Sequence, residues 1–247
     1  MCRLFCWVSS TPISAADALE GDQLLLTQMS KIHNDGWGGA FLSSTASIDL
    51  EKEIVAAHTS DLYQKVVTET QATSGMIHLR WATGNYAVCL ENTHPFLNNG
   101  IAFEHNGGFE NAQALAQLID ADLLNQREGE TDSEWYFLLL QTLIRKHGTI
   151  DLAYKELIPI MKKLCPYSSL NAMILTPDHL YVVSAYDPER HPIELELDYY
   201  HLSWEQIGDL TCAWSSGVRL RAGMTLDNYS ILRVDNKTQS HTQFSIV

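Results

Sequence analysis

The sequence predicts an α+β fold in which two sheets pack face to face and helices cover them on the outside. Three observations lead there. Strand-like segments dominate both ends of the chain, helix-like segments fill residues 112–164, and the composition (45% hydrophobic, 19% charged) is that of an ordinary globular protein. At 247 residues the chain fits a single domain, 1–247.

The elements follow in order. Residues 4–9 are short and apolar and read as a strand. Residues 14–31 carry apolar side chains at three- and four-residue intervals, which predicts a helix. His33-Asn34-Asp35-Gly36 is a turn, 37–42 a strand and 47–54 another. Residues 59–73 read as helix, 75–81 as strand and 85–95 as a polar loop. Residues 100–104 form a strand closed by a turn at His105-Asn106-Gly107-Gly108. Helices are expected over 112–124, 132–147 and 150–164. Strands follow at 170–175, 180–186, 193–200, 210–214 and 230–234.

The formal charge of −14 opposes binding to nucleic acid or to anionic membrane surfaces. No apolar run reaches the roughly 18 residues of a membrane span. The first residues, MCRLFCWVSS, lack the layout of a secretion signal, so a cytoplasmic location is expected. The five cysteines, Cys2, Cys6, Cys89, Cys165 and Cys212, are odd in number and match no zinc or disulfide spacing. Cys6, Cys89, Cys165 and Cys212 therefore read as reduced thiols.

Cys2 is different because cysteine is small enough to permit removal of the initiator methionine. The residue would then carry a thiol and a free α-amine. A thiolate is a strong nucleophile, and an α-amine titrates near operating pH, so it can take up the thiol proton and return it to a leaving amine. Taken alone, a buried strand cysteine is the plainer reading.

Three further motifs carry candidate chemistry, and two read as scaffold. In Phe103-Glu104-His105-Asn106-Gly107-Gly108, the Asn106 amide and the Gly107 N–H can aim at one developing oxyanion, although a plain hairpin turn fits as well. In His78-Leu79-Arg80-Trp81-Ala82-Thr83-Gly84, the Arg80 fork matches a carboxylate; a surface ion pair is the alternative. In Thr131-Asp132-Ser133-Glu134, Asp132 both starts a helix and offers a partner for an ammonium group. His33-Asn34-Asp35-Gly36-Trp37-Gly38-Gly39 and Glu91-Asn92-Thr93-His94-Pro95-Phe96 read as scaffold beside the site, with His94 as a hydrogen-bonded structural histidine. Arg219 and Arg221 read as a solvated surface pair.

The ordered set Cys2, Asp35-Gly36-Trp37-Gly38, Arg80-Trp81-Ala82-Thr83, Glu91 to Phe96, His105-Asn106-Gly107 and Thr131 to Glu134 resembles the class II glutamine amidotransferases, which are N-terminal nucleophile hydrolases. The resemblance spans residues 2 to about 140 and is nearest to the stand-alone branch. It implies a four-layer αββα sandwich of two mainly antiparallel sheets. By the same resemblance Cys2 is the nucleophile and its amine the base, and Asn106 and Gly107 form the oxyanion hole. Arg80 holds the glutamine carboxylate and Asp132 the ammonium, with Trp81 and Thr83 near the ligand. No cofactor and no metal is implied. In the sugar-phosphate synthase branch a histidine usually separates Thr and Gly after the Arg-Trp-Ala motif; here Gly84 follows Thr83 directly.

The substrate expected is glutamine or another γ-glutamyl small molecule. Alternatives stay open: a hydrolase of larger γ-glutamyl compounds, an ammonia-supplying subunit of a synthase partner, a homo-oligomer, a non-catalytic module that kept the fold, or an amidase of the bile-salt hydrolase type.

Overall fold

A computed structural model describes residues 2–82, 86–219 and 222–247. Its strands are β1 (Arg3–Ile13), β2 (Trp37–Leu42), β3 (Ile48–Glu53), β4 (Ala72–Leu79), β5 (Phe96–Asn98), β6 (Ile101–Phe109), β7 (Tyr167–Leu175), β8 (His179–Ser184), β9 (Leu202–Ile207), β10 (Leu210–Ser215), β11 (Met224–Thr225), β12 (Ser230–Asp235) and β13 (His241–Ser245). Its helices are α1 (Ala15–Ala18), α2 (Gln23–Met29), α3 (Asp61–Glu69), α4 (Ala121–Leu124), α5 (Asp132–His147) and α6 (Ile150–Leu164).

The strands form two antiparallel sheets, ordered β11-β9-β10-β1-β4-β2-β3 and β13-β12-β8-β7-β6-β5. Strict alternation along β1 explains how they stack. Leu4, Cys6 and Val8 join the core between the sheets, whereas Phe5 and Trp7 face the layer shared with α1, α2 and α3. On β6, Ala102 faces the inter-sheet core and Phe103 faces α5 and α6. Three apolar layers between four structural layers make the αββα sandwich that the sequence led us to expect. No helix among the described residues is long and apolar enough to cross a membrane.

Helix α5 is apolar around most of its circumference and is correspondingly buried. The Thr131 hydroxyl caps its start by accepting from Glu134 N, a bond worth about 1 kcal/mol. Gly148, at φ +80°, ends it in the left-handed conformation that glycine adopts without strain. Thr149 then caps α6.

Several sequence expectations are corrected. The helix expected over 14–31 is broken into α1 and α2 where Glu20 and Gly21 take φ of +50° and +99°. The helix expected over 112–124 is a 3-10 turn (Ala112–Leu115) followed by the short α4. No turn interrupts His105 to Gly108: β6 runs straight through and pairs with β7 there. The hairpin turn is instead at Asn99-Gly100, with φ of +51° and +72°, between the paired Asn98 and Ile101. Residues 193–200 form turns, and the strand they were expected to make begins at Leu202. Arg219 is not a solvated surface residue: its side chain is 1% exposed and bridges Glu20, Asp22 and Glu205. Arg221 lies outside the described residues.

Candidate active site

Continuity of β6 through the Asn-Gly dipeptide decides the geometry of the site. Because side chains alternate, Asn106 faces the inter-sheet side, and there it meets Cys2 at the start of β1. The Cys2 backbone nitrogen donates to Asn106 Oδ1 at 2.8 Å. Asn106 Nδ2 is buried with no hydrogen-bond partner among the described residues. Gly107 has no room for a side chain, since a Cβ there would drive into the Ser169 backbone of the neighbouring strand.

His105 points the other way, toward α5. Its Nε2 donates to the Ser169 carbonyl at 3.0 Å, which leaves Nδ1 to accept from the Ser133 hydroxyl at 2.9 Å. This ties β6 to the first turn of α5, where Asp132 sits. Asp132 Oδ2 accepts from Phe109 N and Oδ1 from Ser133 N, both at 2.9 Å. The carboxylate is thereby aimed and buried at the rim of the cleft.

Arg80 continues β4 for one more residue through paired bonds with Asp35 and Gly36. Its guanidinium donates to the Asp35 carbonyl at 3.3 Å and the Ala87 carbonyl at 3.2 Å. The Asp35 side chain in turn accepts from Ala82 N at 2.8 Å, so the Asp-Gly-Trp-Gly turn braces the arginine loop from below. Asn92 latches the same loop by donating to Ala87 O and accepting from Glu130 N. Trp81 packs edge-on against His33, and its carbonyl lies 3.9 Å from Cys2 Sγ.

Cys2, Arg80, Trp81, Gly107 and Asp132 therefore line one narrow cleft. Asn106 reaches it through its bond to Cys2. Thr83 and Gly84 lie outside the described residues. A wider groove of about 570 Å³ opens between the sheet edges at Leu50 and Leu97 and touches none of these residues.

Electrostatics beneath the cleft are unusual. Burial holds His78 down at about 3, and holds His94 and His105 below the usual histidine range, so all three are neutral. His94 lies against His78 and Phe96 with ring centres 4.5 Å from each, and neither of its nitrogens has a partner among the described residues. The hydrogen bonds expected of a structural His94 are therefore absent among the described residues, and ring packing holds it instead. Glu104 faces the inter-sheet core without exposure, and neither carboxyl oxygen has a partner. Burial first, and proximity to Cys2 second, push its pKa well above the carboxylate range, so it is a neutral acid.

Four residues beside the site are not among the sequence candidates. Glu104 stands within the motif that contains Asn106 and Gly107, and an acid in an apolar strand is its signal. Arg3 and Tyr199 meet at the Cys2 carbonyl. Tyr86 is half-buried against Asp132, and burial together with that neighbouring charge raises its pKa. Among the described residues no group of three or more His, Cys, Asp or Glu side chains is arranged to hold a metal ion.

Comparison with known proteins places this geometry in context. A family model for class-II glutamine amidotransferases matches residues 1–183. Glutamine–fructose-6-phosphate aminotransferase of Oceanobacillus iheyensis is 26% identical over 144 residues, 57% of this chain and 23% of that protein. The Rhizobium meliloti protein of the same name is 24% identical over 186 residues, 75% of this chain and 28% of its own length. The chain thus spans about a quarter of the length of the curated relatives it matches. Among solved structures, a glutamine aminotransferase class-II domain protein from Silicibacter pomeroyi superposes with a TM-score of 0.71 at 17% identity, covering 100% of both chains. The glutamine PRPP amidotransferase of B. subtilis gives a TM-score of 0.63 at 19% identity, covering 100% of this chain and 49% of that one. At these identities the structural likeness speaks for the fold.

Proposed function

The chain belongs to the class II glutamine amidotransferases, and from that premise we propose that it hydrolyses the γ-amide of glutamine with Cys2 as nucleophile. The observation that carries the reading is the convergence of a thiol, an amide donor, an arginine and a carboxylate on one cleft.

Free glutamine has one carboxylate, one ammonium and one amide. Arg80 pairs with the carboxylate and Asp132 with the ammonium, which fixes the amide carbon against the Cys2 thiol. Once Met1 is removed, the bond between Cys2 N and Asn106 Oδ1 holds the α-amine by one hydrogen and leaves its lone pair free for the thiol proton. The thiolate attacks the amide carbon, and the negative charge moves to the amide oxygen, where Asn106 Nδ2 and the Gly107 N–H receive it. The amine returns the proton to the leaving nitrogen, the C–N bond breaks and ammonia departs. Water, deprotonated by the same amine, then opens the γ-glutamyl thioester to give glutamate. Trp81 belongs to the wall around the ligand.

The chain acts as one domain over 1–247; the end-to-end match to a solved class-II domain protein supports this. A cytoplasmic location is supported by five cysteines that are all free thiols. The short coverage of the curated relatives favours a second reading, in which the ammonia feeds a synthase active site carried elsewhere.

The test uses purified protein with glutamine, intact-mass analysis and an electrophilic glutamine analogue. The expected result is loss of Met1, labelling of Cys2 alone, ammonia release, and no turnover by folded Cys2→Ala. Active protein that retains Met1, or turnover by Cys2→Ala, overturns the proposal.

A further inference from the structure

Two side chains converge on the carbonyl oxygen of Cys2. Arg3 Nη1 donates to it at 3.2 Å and the Tyr199 hydroxyl donates at 3.3 Å. The guanidinium carbon of Arg3 also lies 4.1 Å from the centre of the Tyr199 ring, so the two donors brace each other through a cation–π contact. Both residues are buried, Arg3 to 9% exposure and Tyr199 to 4%. Tyr199 packs edge-on against Tyr200 in an aromatic group that includes Trp81, whose carbonyl faces Cys2 Sγ. It comes from the segment before β9, beyond the residues matched by the family model.

A residue at a chain terminus is held by a single peptide bond and swings freely unless it is tied down. Removal of Met1 puts Cys2 in that position. The bond from its nitrogen to Asn106 fixes one side of the residue. That bond opposes rotation about the Cα–C bond but does not fix the plane of the peptide group between Cys2 and Arg3, and the two together decide where Sγ points. Two donors on the carbonyl oxygen, one of them charged, fix that plane. We propose that Arg3 and Tyr199 are positioning residues that clamp the Cys2 carbonyl and so hold its amine on Asn106 and its thiol toward the cleft. The inference rests on the reading of Cys2 as nucleophile.

The groups facing the clamp and Cys2 are Glu104 from β6, Tyr199, Tyr200 and Asp198 from the segment before β9, His33 from the turn before β2 and, across the cleft, Arg80 after β4 and Asp132 of α5. Glu104 is held neutral by burial; His33, pushed down to about 4 by burial and by Arg3, is neutral too. Burial raises Tyr199 and Tyr200, which keeps both hydroxyls protonated. Asp198 is exposed to solvent, which screens it. Arg80 and Asp132 are buried and line the same cleft as Cys2; Arg3 is the buried cation that bonds the Cys2 carbonyl itself.

The experiment compares wild type, Arg3→Met, Arg3→Lys, Tyr199→Phe and Cys2→Ala. It reads kcat and KM on glutamine and the melting temperature. Arg3→Met is expected to lower kcat by about tenfold or more, the loss of a charged hydrogen bond, with KM held within about threefold. Arg3→Lys restores kcat only in part, because it returns the charge without the planar fork. Tyr199→Phe lowers kcat several-fold, by about the worth of one neutral hydrogen bond, and leaves KM in place. Earlier melting in Arg3→Met and Tyr199→Phe with unchanged kcat assigns the pair to fold support alone and overturns the clamp. If Arg3→Met does not fold, wild-type kcat in Tyr199→Phe overturns it equally. Turnover by Cys2→Ala, or none by wild type, defeats the nucleophile reading instead.

Discussion

Cys2 and Asn106 are joined by a 2.8 Å hydrogen bond across 104 residues of sequence, with the asparagine oxygen accepting from the cysteine nitrogen. That polarity leaves the amide nitrogen of Asn106 buried and without a partner among the described residues. A buried donor without a partner costs about 1–3 kcal/mol, so its retention calls for a compensating use. An oxygen that turns negative only during the reaction supplies one.

Asn106→Asp tests that use. Aspartate keeps an oxygen for the Cys2 nitrogen but loses the donor. We expect kcat on glutamine to fall by about 10²–10³ with KM little changed, while iodoacetamide still alkylates Cys2. Steady-state kinetics give the answer; an equal fall in affinity and none in kcat would make Asn106 a binding residue.

Asp132→Asn separates charge from shape. The side chain already accepts from Phe109 N and Ser133 N, so its position survives the change in part while its charge does not. KM for glutamine should rise by about 10- to 100-fold, and kcat should change far less. A wild-type KM in the folded variant would remove Asp132 from the substrate.

Glu104→Gln addresses stability. The Glu104 pKa is raised in the fold, so the folded state holds a proton that the unfolded chain releases above about pH 4.3. Stability associated with the neutral acid is therefore complete below that pH and declines as pH rises toward the folded pKa. Glutamine has no such loss. The variant should melt at a temperature several degrees above wild type at pH 8, and the gap should close as the pH is lowered to about 4. A gap that is constant with pH would show that Glu104 is charged in the fold.

The fold was legible where local pattern and tertiary context agree. Residues 132–147 and 150–164 carry a cap, helical periodicity and a terminating glycine or turn, and they form α5 and α6 without correction. The two Asn-Gly dipeptides show the opposite case. Asn99-Gly100 makes the hairpin and Asn106-Gly107 stays in the strand, although their local chemistry is the same. Pairing with β7, a strand about 60 residues further on, decides between them. The site residues were legible as an ordered set because each motif is compact in sequence. Tyr199 was not, because its role depends on an atom 197 residues away. Glu104 was visible as an acid among apolar neighbours, but only the stacking of one sheet over the other reveals what covers it.

In its sheet, β1 has three strands on either side. The residue read as nucleophile therefore directly precedes the strand that is furthest from any fraying edge. Local opening at the outer strands leaves β1 in place, so the bonds on the Cys2 nitrogen and carbonyl decide whether the residue stays put. With those bonds whole, heat inactivation and cooperative unfolding should be a single event; where they are removed, activity should be lost at a lower temperature than the fold.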